Sequence, residues 1–165
     1  MWLGTYERDY PRARVLVQGL REIGVEVVEH HRAVWERQRH KAGAFLRPGP
    51  LARAGLGYAR AWGGLAREVS HEGRVDAVVA GYPAQPDAVP AWCVARARGV
   101  PLVVDMMISL ADTLGGDRGR ADRATVAALA GIDRLSLRLA DLVLADTAAG
   151  ADWLAGRFGV PPGRI

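Results

Sequence analysis

Val75-Asp76-Ala77-Val78-Val79-Ala80-Gly81-Tyr82-Pro83 is a short apolar run closed by glycine and proline, and it reads as a β-strand ending in a loop. Asp87 to Arg98 follows as a short helix stopped by Gly99. Val100-Pro101-Leu102-Val103-Val104-Asp105 is a second apolar run. Strand, helix and strand within about 30 residues is the spacing of a parallel βαβ unit. Neither Ala77–Ala80 nor Leu102–Val104 alternates apolar with polar residues. That pattern is expected where helices cover both faces of a sheet.

The same rhythm extends in both directions. Upstream, Met1–Leu3 reads as a first strand, and Pro11 to Ile23 as a helix with Val15, Leu16, Leu20 and Ile23 on one face. Gly24 stops that helix, and Val25 to Glu29 is a second strand. Residues 30 to 50 are irregular and basic, and a helix over Leu51 to Val69 follows despite Gly55, Gly57, Gly63 and Gly64. Downstream of Asp105, a loop carrying Gly115 and Gly116 leads to a helix over Asp122 to Leu139, lined by Val126, Leu129, Ile132, Leu135 and Leu139. Asp141 to Asp146 is a fifth strand, Ala148 to Phe158 a last helix capped by Gly159, and Ile165 the first residue of a further strand. Met106-Met107 and Trp92-Cys93 read as core. The prediction is an α/β fold: a doubly wound, Rossmann-like parallel sheet with helices on both faces, forming a single domain over residues 1–165.

In such sheets ligands bind beyond the carboxyl ends of the strands. That rule selects Gly4 to Tyr6, His30 and His31, Gly81 and Tyr82, Asp105 to Ser109, and Asp146 with Thr147. Several chemistries lack their motifs. The loop after the first strand, Gly4-Thr5-Tyr6-Glu7-Arg8-Asp9-Tyr10, is not G-x-G-x-x-G, so a nicotinamide or flavin enzyme is disfavoured. No phosphate-binding G-x-x-x-x-G-K-[ST] loop and no G-x-S-x-G elbow occur. His30, His31, His40 and His71 lack metal-ligand spacing, and no metal is expected.

Half of the 165 residues are hydrophobic and 24% are charged, an ordinary globular balance. No apolar run approaches the ~18 residues of a membrane span, and the start lacks a secretion signal. Cys93 is the single cysteine, so no internal disulfide forms, and a cytoplasmic protein is expected. The net charge is +4, carried by arginines and Lys41 alone. Arginine together with abundant alanine, glycine and valine is what GC-rich coding produces, and no nucleic-acid partner is expected from it.

Gly4-Thr5-Tyr6, then Tyr10-Pro11-Arg12, Leu20-Arg21 and Gly24-Val25-Glu26-Val27, resembles the opening of family 4 glycosyltransferases. Arg134-Leu135-Ser136-Leu137-Arg138-Leu139-Ala140-Asp141-Leu142-Val143-Leu144-Ala145-Asp146-Thr147 is similar to that family's long helix and A-D-x-V segment. Trp153-Leu154 and Phe158-Gly159-Val160-Pro161-Pro162-Gly163-Arg164-Ile165 resemble the approach to its interdomain linker. The resemblance implies half of a GT-B architecture, the N-terminal, acceptor-side domain. The partner half, a C-terminal domain gripping the nucleotide-sugar donor, is expected beyond Ile165. It further implies a retaining transfer in which the nucleotide-sugar is a co-substrate and no metal or other cofactor is needed. The chain alone is then expected to bind a sugar or lipid-linked acceptor without turnover.

At the positions the family uses, Asp105 stands where many members carry a histidine against the transferred sugar. A carboxylate there can orient a sugar hydroxyl, deprotonate the acceptor or stabilise positive charge. Gly4 is expected near the donor diphosphate, although the family's usual Gly-Gly is missing from this loop, and Thr5 beside it is expected to bind substrate. Arg12 is positioned for an anionic group, whereas Arg14 reads as solvated. Tyr6, Tyr10 and Tyr82 offer faces for sugar rings or fill the rim of the core. Ser109, Asp112 and Thr147 border the cleft, and Asp146 or Thr147 also caps the last helix.

Arg32, Arg37, Arg39, Lys41, Arg47, Arg53 and Arg60 interleave with Trp35, Phe45, Leu46, Leu51, Leu56 and Trp62. This segment reads either as a face docking peripherally on anionic lipid at the inner membrane, or as a solvated face with its aromatics on the core. Two further functions stand beside the transferase half: a stand-alone Rossmann-like ligand-binding module, and a membrane-surface adaptor.

Overall fold

A computed structural model describes residues 1–34, 48–117 and 122–165, and the side chains of 55–115 within the middle stretch. Five strands form one all-parallel sheet: β1 (Trp2–Gly4), β2 (Glu29–His31), β3 (Val78–Ala80), β4 (Leu102–Asp105) and β5 (Leu142–Leu144). Their order is β2-β1-β3-β4-β5. The described helices are α1 (Pro11–Glu22), α2 (Pro48–Ser70), α3 (Ala88–Arg98), the single turn α4 (Leu110–Asp112), α5 (Arg123–Leu139) and α6 (Ala148–Phe158). The predicted α/β, doubly wound, Rossmann-like class is the observed one.

Pairing alternates the two faces of the sheet. Leu3, Val78, Ala80, Leu102, Val104 and Val143 belong to one buried cluster, joined by Trp62, Leu65 and Val69 from α2. Trp2 and Tyr6 belong to the other, closed by Ala13 and Val17 of α1. Glycines at the ends of α3 and α6 take the left-handed conformation, Gly99 at φ 66° and Gly159 at φ 70°, which closes each helix without a Cβ penalty. α2 runs through its glycines because its stripe of Trp62, Leu65 and Val69 is buried, and tertiary packing overrides weak propensity.

Several elements differ from the sequence reading. β2 lies at Glu29–His31 rather than over Val25 to Glu29. Gly24, at φ 85°, and the bond from Val25 N–H to the Leu20 carbonyl take the residues after α1 into its closing turn. On α1 the inward face is Ala13, Leu16, Val17 and Leu20, while Val15 and Ile23 point to solvent. On α5, Ile132 and Leu135 are exposed, and Ala130, Asp133, Ser136 and Leu137 face inward. Val126, Leu129 and Leu139 of the expected face are half-buried, Leu139 against the core, so the apolar count finds the inward face only in part. Cys93 is exposed, although Trp92 packs on the core. Before Ile165 the chain makes a 3-10 turn over Pro162–Arg164.

The basic segment divides. Trp62 is buried, Arg32 is ion-paired with Glu68, and Leu56 is exposed. Trp35, Arg37, Arg39, Lys41, Phe45, Leu46 and Arg47, with the side chains of Leu51 and Arg53, lie outside the described residues. Among the described residues no helix is long and apolar enough to cross a membrane.

Candidate functional site

The parallel strands aim their carboxyl ends at one edge, where Gly4, His31, Gly81-Tyr82, Asp105 and Ala145 emerge. The topological switch lies between β1 and β3, because the chain leaves β1 toward β2 and later builds on the opposite side. This edge holds two buried carboxylates with different surroundings.

The first is Asp87, at the start of α3. The sequence marks it only as a helix start, but its side chain makes no cap hydrogen bond. It reaches across to the β1 loop instead. Thr5 N–H donates to Oδ2 at 2.6 Å, and the Thr5 hydroxyl to Oδ1 at 2.9 Å. Trp62 Nε1 donates to Oδ1 at 2.8 Å, and the Tyr58 hydroxyl also approaches. Gly4 makes room for this arrangement. It sits at φ 138°, and a Cβ there would lie 2.3 Å from Asp87 Oδ2. Asp87 is fully buried, and that burial pushes its pKa up to about 6 against the pull of its donors.

Thr5 and Tyr6, expected at a ligand, therefore face inward. Both are fully buried. The Tyr6 ring lies edge-on to Trp2 at 6.3 Å and tilted on His31 at 4.8 Å, while its hydroxyl donates to Glu29 at 2.8 Å. Burial and the Glu29 carboxylate raise the phenol pKa. His31 Nε2 meets the Tyr6 carbonyl at 2.8 Å, which ties the loop to β2.

The second carboxylate is Asp105, at the tip of β4. Arg12 Nε donates to its Oδ1 at 2.7 Å, and Arg12 Nη2 to the Ala145 carbonyl at 3.2 Å. One arginine from the first turn of α1 thus bridges the tips of β4 and β5. Asp105 is fully enclosed, yet its Oδ2 has no hydrogen-bond partner. Burial raises the Asp105 pKa; the Arg12 guanidinium and the Tyr82 backbone N–H oppose this without cancelling it, and Asp146 adds repulsion. Tyr82 and Tyr10 meet beside this pair, their rings tilted at 42° with centroids 4.9 Å apart. The Tyr82–Pro83 peptide bond is cis.

The remaining positions are placed by local bonds. Ser109 donates to Asp133 Oδ2 at 2.7 Å and accepts from Asp112 N–H at 3.1 Å. Asp133, buried on α5, also accepts from the Leu110 and Ala111 N–H groups, each at 3.1 Å. Asp112 points outward. Thr147 caps α6, its hydroxyl accepting from Gly150 N–H at 3.0 Å. The structure therefore brings Asp105, Arg12 and Tyr82 together, sets Gly4 and Thr5 on Asp87, and holds Ser109 on Asp133. Asp87 and Asp133 are the residues that sequence reasoning missed. Their partners stand 82 and 24 positions away, so no local signal marks them. Among the described residues, no group of three or more His, Cys, Asp or Glu is placed to hold a metal ion.

The sequence model of the glycosyl transferase 4-like domain matches residues 11–165. The chain belongs to that family. The match begins at Pro11, the first residue of α1, and takes in Arg12, Tyr82, Asp105 and Thr147. Neither the curated proteins nor the solved structures give a match. As a glycosyltransferase family member, the protein is a transferase, and its Rossmann-like sheet presents the edge at which that fold binds ligands.

Proposed function

We propose that this chain is the acceptor-side half of a GT-B glycosyltransferase. A second domain holds the nucleotide-sugar, and the sugar is transferred with retention of configuration and without a metal ion. The family membership supports the transferase class. The observation that carries the site is Asp105 Oδ2, a buried oxygen without a partner beside an arginine and two tyrosines in ring contact. An acceptor hydroxyl supplies the missing donor once Arg12, whose side chain is 17% exposed, shifts toward solvent. The hydroxyl oxygen then bonds to the anomeric carbon as the bond to the diphosphate breaks. Asp105 takes the hydroxyl proton, and its raised pKa makes it a better acceptor than an ordinary carboxylate. Before that shift Arg12 fixes the carboxylate between the strand tips.

The test is Asp105→Asn in the protein paired with its donor domain, read as nucleotide release. The expected loss in kcat is about 100-fold, with acceptor KM changed much less. An unchanged kcat removes Asp105 from the chemistry. The chain alone is expected to release no nucleotide from any nucleotide-sugar.

A further inference from the structure

A cavity opens next to the loop that follows β4. It holds about 160 Å³, and its walls come from three elements. Ser109, Asp112 and Gly115 supply the loop side, Val126 comes from the start of α5, and Trp153 and Arg157 come from α6. Gly115 lets the loop lie against α5, since a Cβ there would stand 2.7 Å from a Val126 methyl.

Its chemistry is mixed in a specific way. Trp153 is 40% exposed, a large aromatic surface left facing solvent. Its ring is braced edge-on by Phe158 at 5.7 Å, and the Arg157 guanidinium lies 6.0 Å from the centre of that same Phe158 ring. Trp153 and Arg157 are four residues apart, so one helix face presents both. Asp112 lines the same cavity from the loop. Among the described residues neither the Asp112 carboxylate nor the Arg157 guanidinium has an ion-pair partner, and the two do not pair with each other. A fixed aromatic face flanked by an acceptor-only carboxylate and a donor-only guanidinium suits a ring that is apolar across its face and hydroxylated around its rim.

We infer that this cavity receives a pyranose ring, and that the acceptor is a glycoside whose second ring rests on Trp153. Ser109 lies four residues beyond Asp105 on the chain, so the cavity and the proposed reaction centre are built on the same loop after β4. Assigning the ring to the acceptor rests on the transferase reading. The cavity itself is tested by binding alone.

The experiment is a titration of the 15N-labelled chain with methyl α-glucopyranoside, methyl α-mannopyranoside, methyl α-galactopyranoside and N-acetylglucosamine, following the tryptophan indole resonances. The Trp153 signal is assigned by its loss in Trp153→Phe. At least one sugar is expected to shift it, with Kd on the order of 1–10 mM, while the signals of buried Trp2 and Trp62 stay in place. Asp112→Ala and Arg157→Ala are expected to weaken that binding about 10-fold each, with backbone spectra showing an intact fold. Absence of any Trp153 shift with all four sugars overturns the inference, and so does a larger shift with uridine, which marks a nucleobase site. If the sugar binds but the paired protein transfers nothing, the transferase reading falls and the cavity stands. If transfer proceeds and Trp153→Ala leaves acceptor KM unchanged, the cavity falls and the transferase reading stands.

Discussion

Asp87 and Asp105 are both fully buried carboxylates at the carboxyl edge of one sheet, and burial raises the pKa of each. Their surroundings separate them. Asp87 accepts from Thr5 N–H, the Thr5 hydroxyl and Trp62 Nε1, so both its oxygens are engaged. Asp105 accepts from one side chain, Arg12, and from the Tyr82 N–H, and keeps one oxygen bare. A buried carboxylate with a full set of donors joins elements, and this one ties the β1 loop to α2 and α3 across the topological switch. A bare buried oxygen costs stability unless something else needs it. The lesson is that burial and a raised pKa do not by themselves distinguish a clamp from a reaction centre; the donor count does.

The largest expected effect is on the clamp. Asp87→Ala leaves the Thr5 and Trp62 donors buried without acceptors, and a loss of about 3–5 kcal/mol is expected in denaturant unfolding. A loss below about 1 kcal/mol would erase the contrast between the two carboxylates.

The second effect is a pH dependence. The Asp87 pKa stands at about 6 against an ordinary 3.8, so the folded protein holds a proton that the unfolded chain has released. The contribution of this group to stability is greatest below about pH 4 and falls as pH rises through 6, by about 3 kcal/mol in all. Asp87→Asn removes the titration. The stability difference between the native protein and that variant should therefore shift against the native protein from pH 4.5 to pH 7.5. Thermal unfolding of both across that range checks it, and parallel curves would show that Asp87 does not titrate there.

The smallest effect is on Asp105. Asp105→Ala frees Arg12, which already reaches solvent, takes one acceptor from the Tyr82 N–H, and removes an oxygen that had no donor. A loss of only about 1–2 kcal/mol is expected in the same denaturant assay. A loss equal to that of Asp87→Ala would make Asp105 a second clamp.

Much of the edge was legible in advance. The apolar runs at Val78–Ala80, Leu102–Asp105 and Leu142–Leu144 mark strands by local composition, and the rule for doubly wound sheets then points to Asp105, Tyr82 and Thr147. The cap by Thr147 is also local, since its partner Gly150 is three residues on. Facing directions were less legible. Val15 and Ile23 of α1, and Ile132 and Leu135 of α5, read as inward yet are exposed, because a helix repeat fits two stripes and only the sheet chooses between them. Tyr6 shows the same limit. A tyrosine in a cleft loop suits a ligand or a core equally, and Trp2, His31 and Glu29 together settle it in the core.

The sequence by itself determined the α/β alternation, the strands' shared direction and the positions at their carboxyl ends, because these follow from short-range periodicity, glycine stops and crossover handedness. Only the tertiary structure decided which of those positions are joined: Thr5 to Asp87 across 82 residues, and Arg12 to Asp105 across 93. Hydrogen-bond partners so distant in the chain leave no spacing to read, and burial, which raises the pKa of both carboxylates, exists only once the helices have closed over the sheet.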